Sequence, residues 1–215
     1  MVFEIDEQTK KHTEDLLKKM KKPVKLKVFV TKDHCLMCNG TIQVVDLLVQ
    51  MSPKIIVEKC ACGKETEEAK KYGIDKHPAI LIHGEDREYN VRYFGLPGGY
   101  EFGALVEDIV DTSTGDLGLT TDTIKKLEEI EKPVHIQVFT LTTCPFCPKA
   151  VRTAHKFAMV NENITADMIK AREFMDLAIK YQVTGVPRTI INEKVDLVGA
   201  APEEVFLAKV LEAVE

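Results

Sequence analysis

One stretch of this chain is written twice. Pro23-Val-Lys-Leu-Lys-Val-Phe-Val leads into Cys35-Leu-Met-Cys38, and Pro133-Val-His-Ile-Gln-Val-Phe-Thr leads into Cys144-Pro-Phe-Cys147, with the first cysteines 109 residues apart. The same offset lays Lys71-Tyr72-Gly73-Ile74 on Lys180-Tyr181-Gln182-Val183 and Pro78 on Pro187. Further on it falls to 104, pairing Gly95 with Gly199 and Phe102 with Phe206, so the second copy has lost about five residues between strands. A repeat of this length is a whole small domain rather than a solenoid turn, and it divides the chain into units at 1–115 and 116–215. The junction is expected in Asp111-Thr-Ser-Thr-Gly-Asp-Leu-Gly-Leu, which is rich in turn formers.

Each copy reads as the same series of elements. The β-branched, apolar runs 24–30 and 134–140 are strands, and each runs into its Cys-x-x-Cys and then a helical pattern, through about Val49 and Met159. A second strand follows near 54–58 and 164–169, then a polar helix ending at Tyr72 or Tyr181. A strand led by proline comes next (79–83 and 188–192), then a further strand and a closing helix. Helical stretches at about 5–20 and 121–130 precede the two units. The fold expected is α/β, a mixed sheet flanked by helices in each of two tandem units.

Composition narrows the function. Apolar residues make up 45% and charged residues 29%, enough for a core and a solvated surface. A net charge of −5 with mixed signs offers no basic stripe for nucleic acid, and no apolar run approaches bilayer length. The first residues, Met1-Val-Phe-Glu-Ile-Asp-Glu, carry no signal-peptide core, so a cytoplasmic protein is expected. Six cysteines in a reducing compartment then need a chemical reason. The absence of Trp and the abundance of Lys and Glu lean towards a thermophile.

A cysteine placed where a strand turns into a helix meets unpaired backbone N–H groups and the positive end of the helix dipole. Both favour the thiolate, the form that attacks a disulfide. Cys35 and Cys144 are therefore the expected nucleophiles. Cys38 and Cys147, three residues on, are the expected resolving thiols. Pro145 suits a first helical turn, and Pro148 lies where no intrahelical acceptor is lost. A zinc site is the competing reading of any Cys-x-x-Cys. Here 105 residues separate Cys38 from Cys144, and each pair sits in its own copy of the fold. Cys60 and Cys62 have no cysteine counterparts, since Ile169 and Ala171 stand there. They are bystanders (reduced or locally paired), a relay for the first dithiol, or half of a four-sulfur metal site with Cys35 and Cys38.

The dithiols, with the Xaa-Pro steps His77-Pro78 and Val186-Pro187, resemble the thioredoxin/glutaredoxin superfamily. Cys-Pro-Phe-Cys differs by one hydroxyl from the glutaredoxin Cys-Pro-Tyr-Cys. The tandem layout, with Val91-Arg-Tyr-Phe-Gly-Leu-Pro-Gly-Gly-Tyr-Glu-Phe in the first copy, is similar to the glutaredoxin-like protein disulfide oxidoreductases of thermophilic archaea and bacteria. The resemblance implies cis Pro78 and Pro187 beside Cys35 and Cys144, with His77, Pro78, Val186 and Pro187 presenting backbone to an extended peptide substrate. His77 and His34 would then lie near the first dithiol, where an imidazolium would lower a cysteine pKa. It also implies disulfide reductase, oxidase or isomerase activity on proteins, with no cofactor bound to this chain. Reducing equivalents would come from NADPH through a thioredoxin-reductase-like flavoprotein. Thioredoxins carry a buried Asp six residues before the first cysteine. Phe29 and Val138 stand there instead, so proton transfer would fall to Glu58 and Asp167, unless these are simply solvated carboxylates. A metal-binding or redox-sensing adaptor is the alternative from another class, and a glutathione-dependent transferase a third.

Overall fold

A computed structural model describes residues 3–31 and 35–215. His34, expected near the first dithiol, lies outside the described residues. In chain order the elements are α1 (Glu7–Leu17), β1 (Val24–Val30), α2 (Cys38–Met51), β2 (Ile55–Ala61), α3 (Glu67–Lys71), β3 (Ala79–His83), β4 (Glu88–Phe94) and α4 (Tyr100–Thr114). The second half repeats them as α5 (Thr121–Glu128), β5 (Val134–Thr140), α6 (Cys147–Val160), β6 (Ile164–Lys170), α7 (Met175–Lys180), β7 (Arg188–Ile191), β8 (Val195–Val198) and α8 (Glu203–Glu212).

The eight strands of the described residues form one sheet in the order β2-β1-β3-β4-β6-β5-β7-β8. Each half contributes the same four-strand order, with its first two strands parallel and the rest antiparallel. The halves join where β4 pairs in parallel with β6. That join breaks the symmetry of the copies. β2 is an outer edge of the sheet, whereas its counterpart β6 is paired on both sides.

Among the described residues, six helices cover one face and two short ones, α3 and α7, the other. Val24, Leu26 and Val28 of β1 and Val134, Ile136 and Val138 of β5 point into the larger core, with Val44, Leu105, Phe157 and Phe206 from the helices. Phe29, Phe139, Ala69 and Ile169 form the smaller core beneath α3 and α7. Alternation on a strand explains the split, because successive side chains leave opposite faces. Helices α4 and α6, one from each half, pack on each other over the join.

Three boundaries differ from expectation. β2 runs on to Ala61, so Cys60 lies within the strand rather than after it. α4 continues through Asp111, Thr112 and Ser113 and ends at Thr114, with Gly115 as a left-handed C-cap. Residues that read as a linker are thus a helix end, because Thr112 and Ser113 are buried and Ser113 bonds the Lys22 carbonyl. Both reactive helices begin at the second cysteine, with Met37 and Phe146 as N-caps. Pro145 therefore sits in the turn before the helix, and Pro148 takes the first-turn position.

Candidate active sites

The second dithiol is the more completely described. Thr140 ends β5, the chain turns over Leu141–Thr143, and the Cys144 N–H donates to the Leu141 carbonyl at 3.0 Å. Cys144 and Cys147 are paired, with Cα atoms 5.5 Å apart. The Cys147 N–H donates to the Cys144 sulfur at 3.1 Å. One of the helix's unpaired amides is thus spent on the first cysteine although that residue precedes the helix. Cys147 is fully buried, and Cys144 retains 8% of its surface. Of the pair, only the first cysteine keeps any exposed surface. The first dithiol repeats this order, with Cys35 partly exposed and Cys38 buried at the helix start. Leu36 and Phe146, between the cysteines, are exposed apolar residues.

Both Xaa-Pro bonds, His77-Pro78 and Val186-Pro187, are cis. Ala79 pairs with Phe29 and Arg188 with Phe139, so each proline lies beside the end of the strand that feeds its dithiol. The Gly95 and Gly199 amides donate to the Pro78 and Pro187 carbonyls at 2.9 and 2.8 Å, the same bond in both copies. Val186 also lines a groove of about 720 Å³ with Leu141, Ala171, Met175, Ile179 and Val183. Met175 and Ile179 are mostly exposed along it.

His77 sits differently from Val186. Burial pushes its pKa below the ordinary histidine value, and a hydrogen bond to the Cys62 backbone only partly offsets this. At neutral pH it therefore carries no charge with which to favour a Cys35 thiolate. Its Nε2 is buried without a partner among the described residues. Cys60 and Cys62 are paired with each other and pack against the smaller core, whereas Cys35 packs against the larger one. The two pairs lie on opposite faces of the sheet, so the four-sulfur site does not form.

The two carboxylates considered for proton transfer part company. Glu58, on the outer edge strand, is half exposed and pairs with Lys27 at 3.1 Å. Asp167, its counterpart, is wholly buried because β4 covers β6. Arg92 donates to it at 2.6 and 2.8 Å, and His135 Nε2 lies 2.6 Å away. Burial alone would raise its pKa, but the Arg92 charge and the His135 hydrogen bond hold it down to about 2. It is neither solvated nor a proton donor at neutral pH.

Sequence reading missed an acid–base pair near the second dithiol. Lys170, at the end of β6 opposite Thr140, is paired with Glu101 of α4, and both are buried. Burial raises the Glu101 pKa against the pull of Lys170, and its Oε1 has no partner among the described residues. Two residues earlier Gly99, at φ 66°, lies so close to the Thr142 carbonyl that a Cβ would collide with it. The first half thus braces the turn that carries Cys144. The counterparts of Glu101 and Lys170 are Val205 and Ala61, so the repeat gave no hint of the pair.

Comparison with known proteins agrees with this geometry. Residues 134–212 match the family model described as a thioredoxin domain. The alkylhydroperoxide reductase AhpF from Enterococcus faecalis shares the fold, at TM-score 0.88 and 21% identity over 98% of this chain and 99% of that one. Curated relatives include a Bacillus subtilis protein named NADH dehydrogenase, 23% identical over 95% of this chain and 38% of its own length. Another is an alkyl hydroperoxide reductase of Pseudomonas aeruginosa, 26% identical over 63% of this chain and 26% of its own length. The chain spans less than two-fifths of these curated relatives. A protein disulfide oxidoreductase from Aeropyrum pernix superposes at TM-score 0.90 with 30% identity, over 99% of this chain and 95% of that one. Identity at that level across both whole chains makes this protein a member of the tandem thioredoxin-fold protein disulfide oxidoreductases.

Proposed function

We infer that this thiol–disulfide oxidoreductase works on protein disulfides through Cys144–Cys147 and Cys35–Cys38, the first cysteine of each pair attacking. The observation that carries the reading is the Cys147 N–H aimed at the Cys144 sulfur, with Cys147 sealed behind it. The thiolate of Cys144 attacks one sulfur of a substrate disulfide and releases the other as a thiolate, which takes a proton from water. The Cys147 thiolate then attacks the Cys144 sulfur of the mixed disulfide. The substrate leaves with both sulfurs as thiols, and the enzyme pair is oxidised. A substrate held extended against Val186-Pro187 would lay its apolar side chains in the neighbouring groove. His77-Pro78 offers the corresponding backbone at the first dithiol.

The two units divide at 1–115 and 116–215, one dithiol in each. Regeneration runs from a reduced nicotinamide nucleotide through a flavoprotein dithiol. The resemblance suggests NADPH, and the relatives' name, NADH dehydrogenase, makes NADH the nucleotide to compare with it. Among the described residues no helix is long and apolar enough to cross a membrane, and the reading places the chain in the cytoplasm.

The test is insulin disulfide reduction by wild type, Cys35→Ser and Cys144→Ser, with zinc content measured on the same samples. Metal-free wild type should turn over, and Cys144→Ser should lose most of the rate. Full activity in both variants would remove the dithiols from the mechanism. Stoichiometric zinc without turnover would favour an adaptor.

A further inference from the structure

The Cys60–Cys62 pair has no counterpart in the second half, and the symmetry of the halves shows what it replaces. The Cys62 N–H donates to the Val30 carbonyl at 3.0 Å, and the Ala171 N–H makes the same 3.0 Å bond to Thr140. Cys62 therefore stands where Ala171 lines the substrate-side groove of the second half. His77, hydrogen-bonded to the Cys62 backbone, stands where Val186 lines that groove. The first half thus has a disulfide in the wall where the second half has apolar surface.

That disulfide is reachable. β2 is an outer strand of the sheet with no neighbour beyond it among the described residues, and Cys60 and Cys62 both remain partly exposed. Ile169, the counterpart of Cys60, is wholly buried because β4 covers its strand. Lys64 follows the pair in sequence, and a cationic neighbour favours a thiolate. A structural purpose is weak. A disulfide stabilises by restricting the unfolded chain, and the restriction is least when the bridged residues are two apart. A resolving role for Cys35–Cys38 is also disfavoured, because the two pairs pack on opposite faces of the sheet.

We propose that Cys60–Cys62 is a third redox centre, exchanging two electrons with the dithiol of a partner protein at the open edge of the sheet. A thiolate of the partner attacks one sulfur of the pair, and the other sulfur leaves as a thiolate and is protonated. The partner's second thiolate then attacks its own sulfur in the mixed disulfide. The partner departs as a disulfide, and Cys60 and Cys62 remain as thiols. The reverse sequence oxidises them.

The experiment uses the full chain in three forms: wild type, Cys60→Ser/Cys62→Ser, and a form with Cys35, Cys38, Cys144 and Cys147 all changed to Ser. Each is equilibrated with mixtures of reduced and oxidised dithiothreitol, and separately with reduced thioredoxin as a protein dithiol. Samples are quenched in acid, alkylated and read peptide by peptide. Wild type should take up six electrons through its three pairs, and Cys60→Ser/Cys62→Ser four. The pair should open and reclose reversibly in the third form, at a dithiol ratio within about tenfold of that for the other two pairs in wild type. The thermal midpoint of Cys60→Ser/Cys62→Ser should stay where wild type has it. A pair that opens only when the chain unfolds, or a lowered midpoint with unchanged electron uptake, makes the disulfide structural and overturns the proposal. Cys60 and Cys62 found as thiols at every ratio overturn it as well. Because the third form lacks the four Cys-x-x-Cys sulfurs, its result is independent of whether those dithiols are the insulin reductase.

Discussion

Cys144 keeps a little exposed surface and its sulfur accepts the Cys147 amide, while Cys147 offers none of its surface. In the fully reduced protein, iodoacetamide should therefore modify Cys144 at least tenfold faster than Cys147, as read by peptide mass. Equal rates would mean that the turn opens on reduction and that the amide contact does not order the two thiols. Glu173 is a second residue whose setting can be read by titration. Burial raises its pKa to about 7, against the opposing pull of the Leu96 N–H and Lys170. A carboxyl raised above its unfolded value binds more protons in the folded state, so stability falls as pH rises from about 4.5 to about 7. Glu173→Gln should flatten that part of the stability–pH curve in denaturant titrations, and an unchanged slope would show the group to be solvated. The four Cys-x-x-Cys cysteines were legible because their spacing is local. Glu101 and Lys170 were not, since they stand 69 positions apart and only the packed fold brings them together. His135 and His155 were silent for the same reason. His155, wholly buried, holds Asp108 at 2.6 Å across the contact between α4 and α6.

Helix α7 carries the difference between the two candidate substrate surfaces. It presents Met175 and Ile179 along the groove, where the first half has Thr66 and Lys70 at the same repeat positions. Burying one such side chain against a substrate contributes about 1.5–3 kcal/mol. Ile179→Glu should therefore raise KM for a peptide disulfide with apolar flanking residues by about tenfold or more. It should leave kcat and the reduction of a small disulfide such as cystine nearly unchanged. A fall in kcat for both substrates would place Ile179 in the support of the dithiol rather than in recognition. At this scale the sequence was informative, because strand alternation and helix patterning are short-range. It failed where a boundary depended on tertiary contact. β2 extends to Ala61 because β1 supplies partners as far as Val30, and α4 extends to Thr114 because Thr112 and Ser113 are packed. Pro145 also read as helical, since proline is tolerated equally in a first turn and in the turn before it.

The repeat announced two copies of one fold, but nothing local announced that they would share a sheet. The join rests on β4 against β6, two strands whose pairing residues are 75 apart in sequence, as in Arg92 and Asp167. That ion pair sits in the middle of the join. Arg92 also donates to the Tyr72 and Gly73 carbonyls at 3.2 and 3.1 Å, so one guanidinium ties the cis-proline approach of the first half to the joining strand of the second. Removing one partner of a buried pair leaves the other charge unpaired and costs about 3–5 kcal/mol. Asp167→Asn should lower the unfolding free energy measured in urea by that much at neutral pH. The pH dependence supplies a separate check. A carboxylate held at about 2 against an ordinary 3.8 binds fewer protons folded than unfolded. The stability it contributes is complete above about pH 4 and is lost as pH falls towards 2, a contribution on the order of 2 kcal/mol. Wild type should therefore steepen on its acid limb, and Asp167→Asn should lack that steepening. If the variant loses stability at neutral pH but keeps the wild-type acid limb, Asp167 acts through packing and hydrogen bonds, not through its charge. If the two halves then unfold in separate transitions, the pair is what makes the tandem fold cooperative.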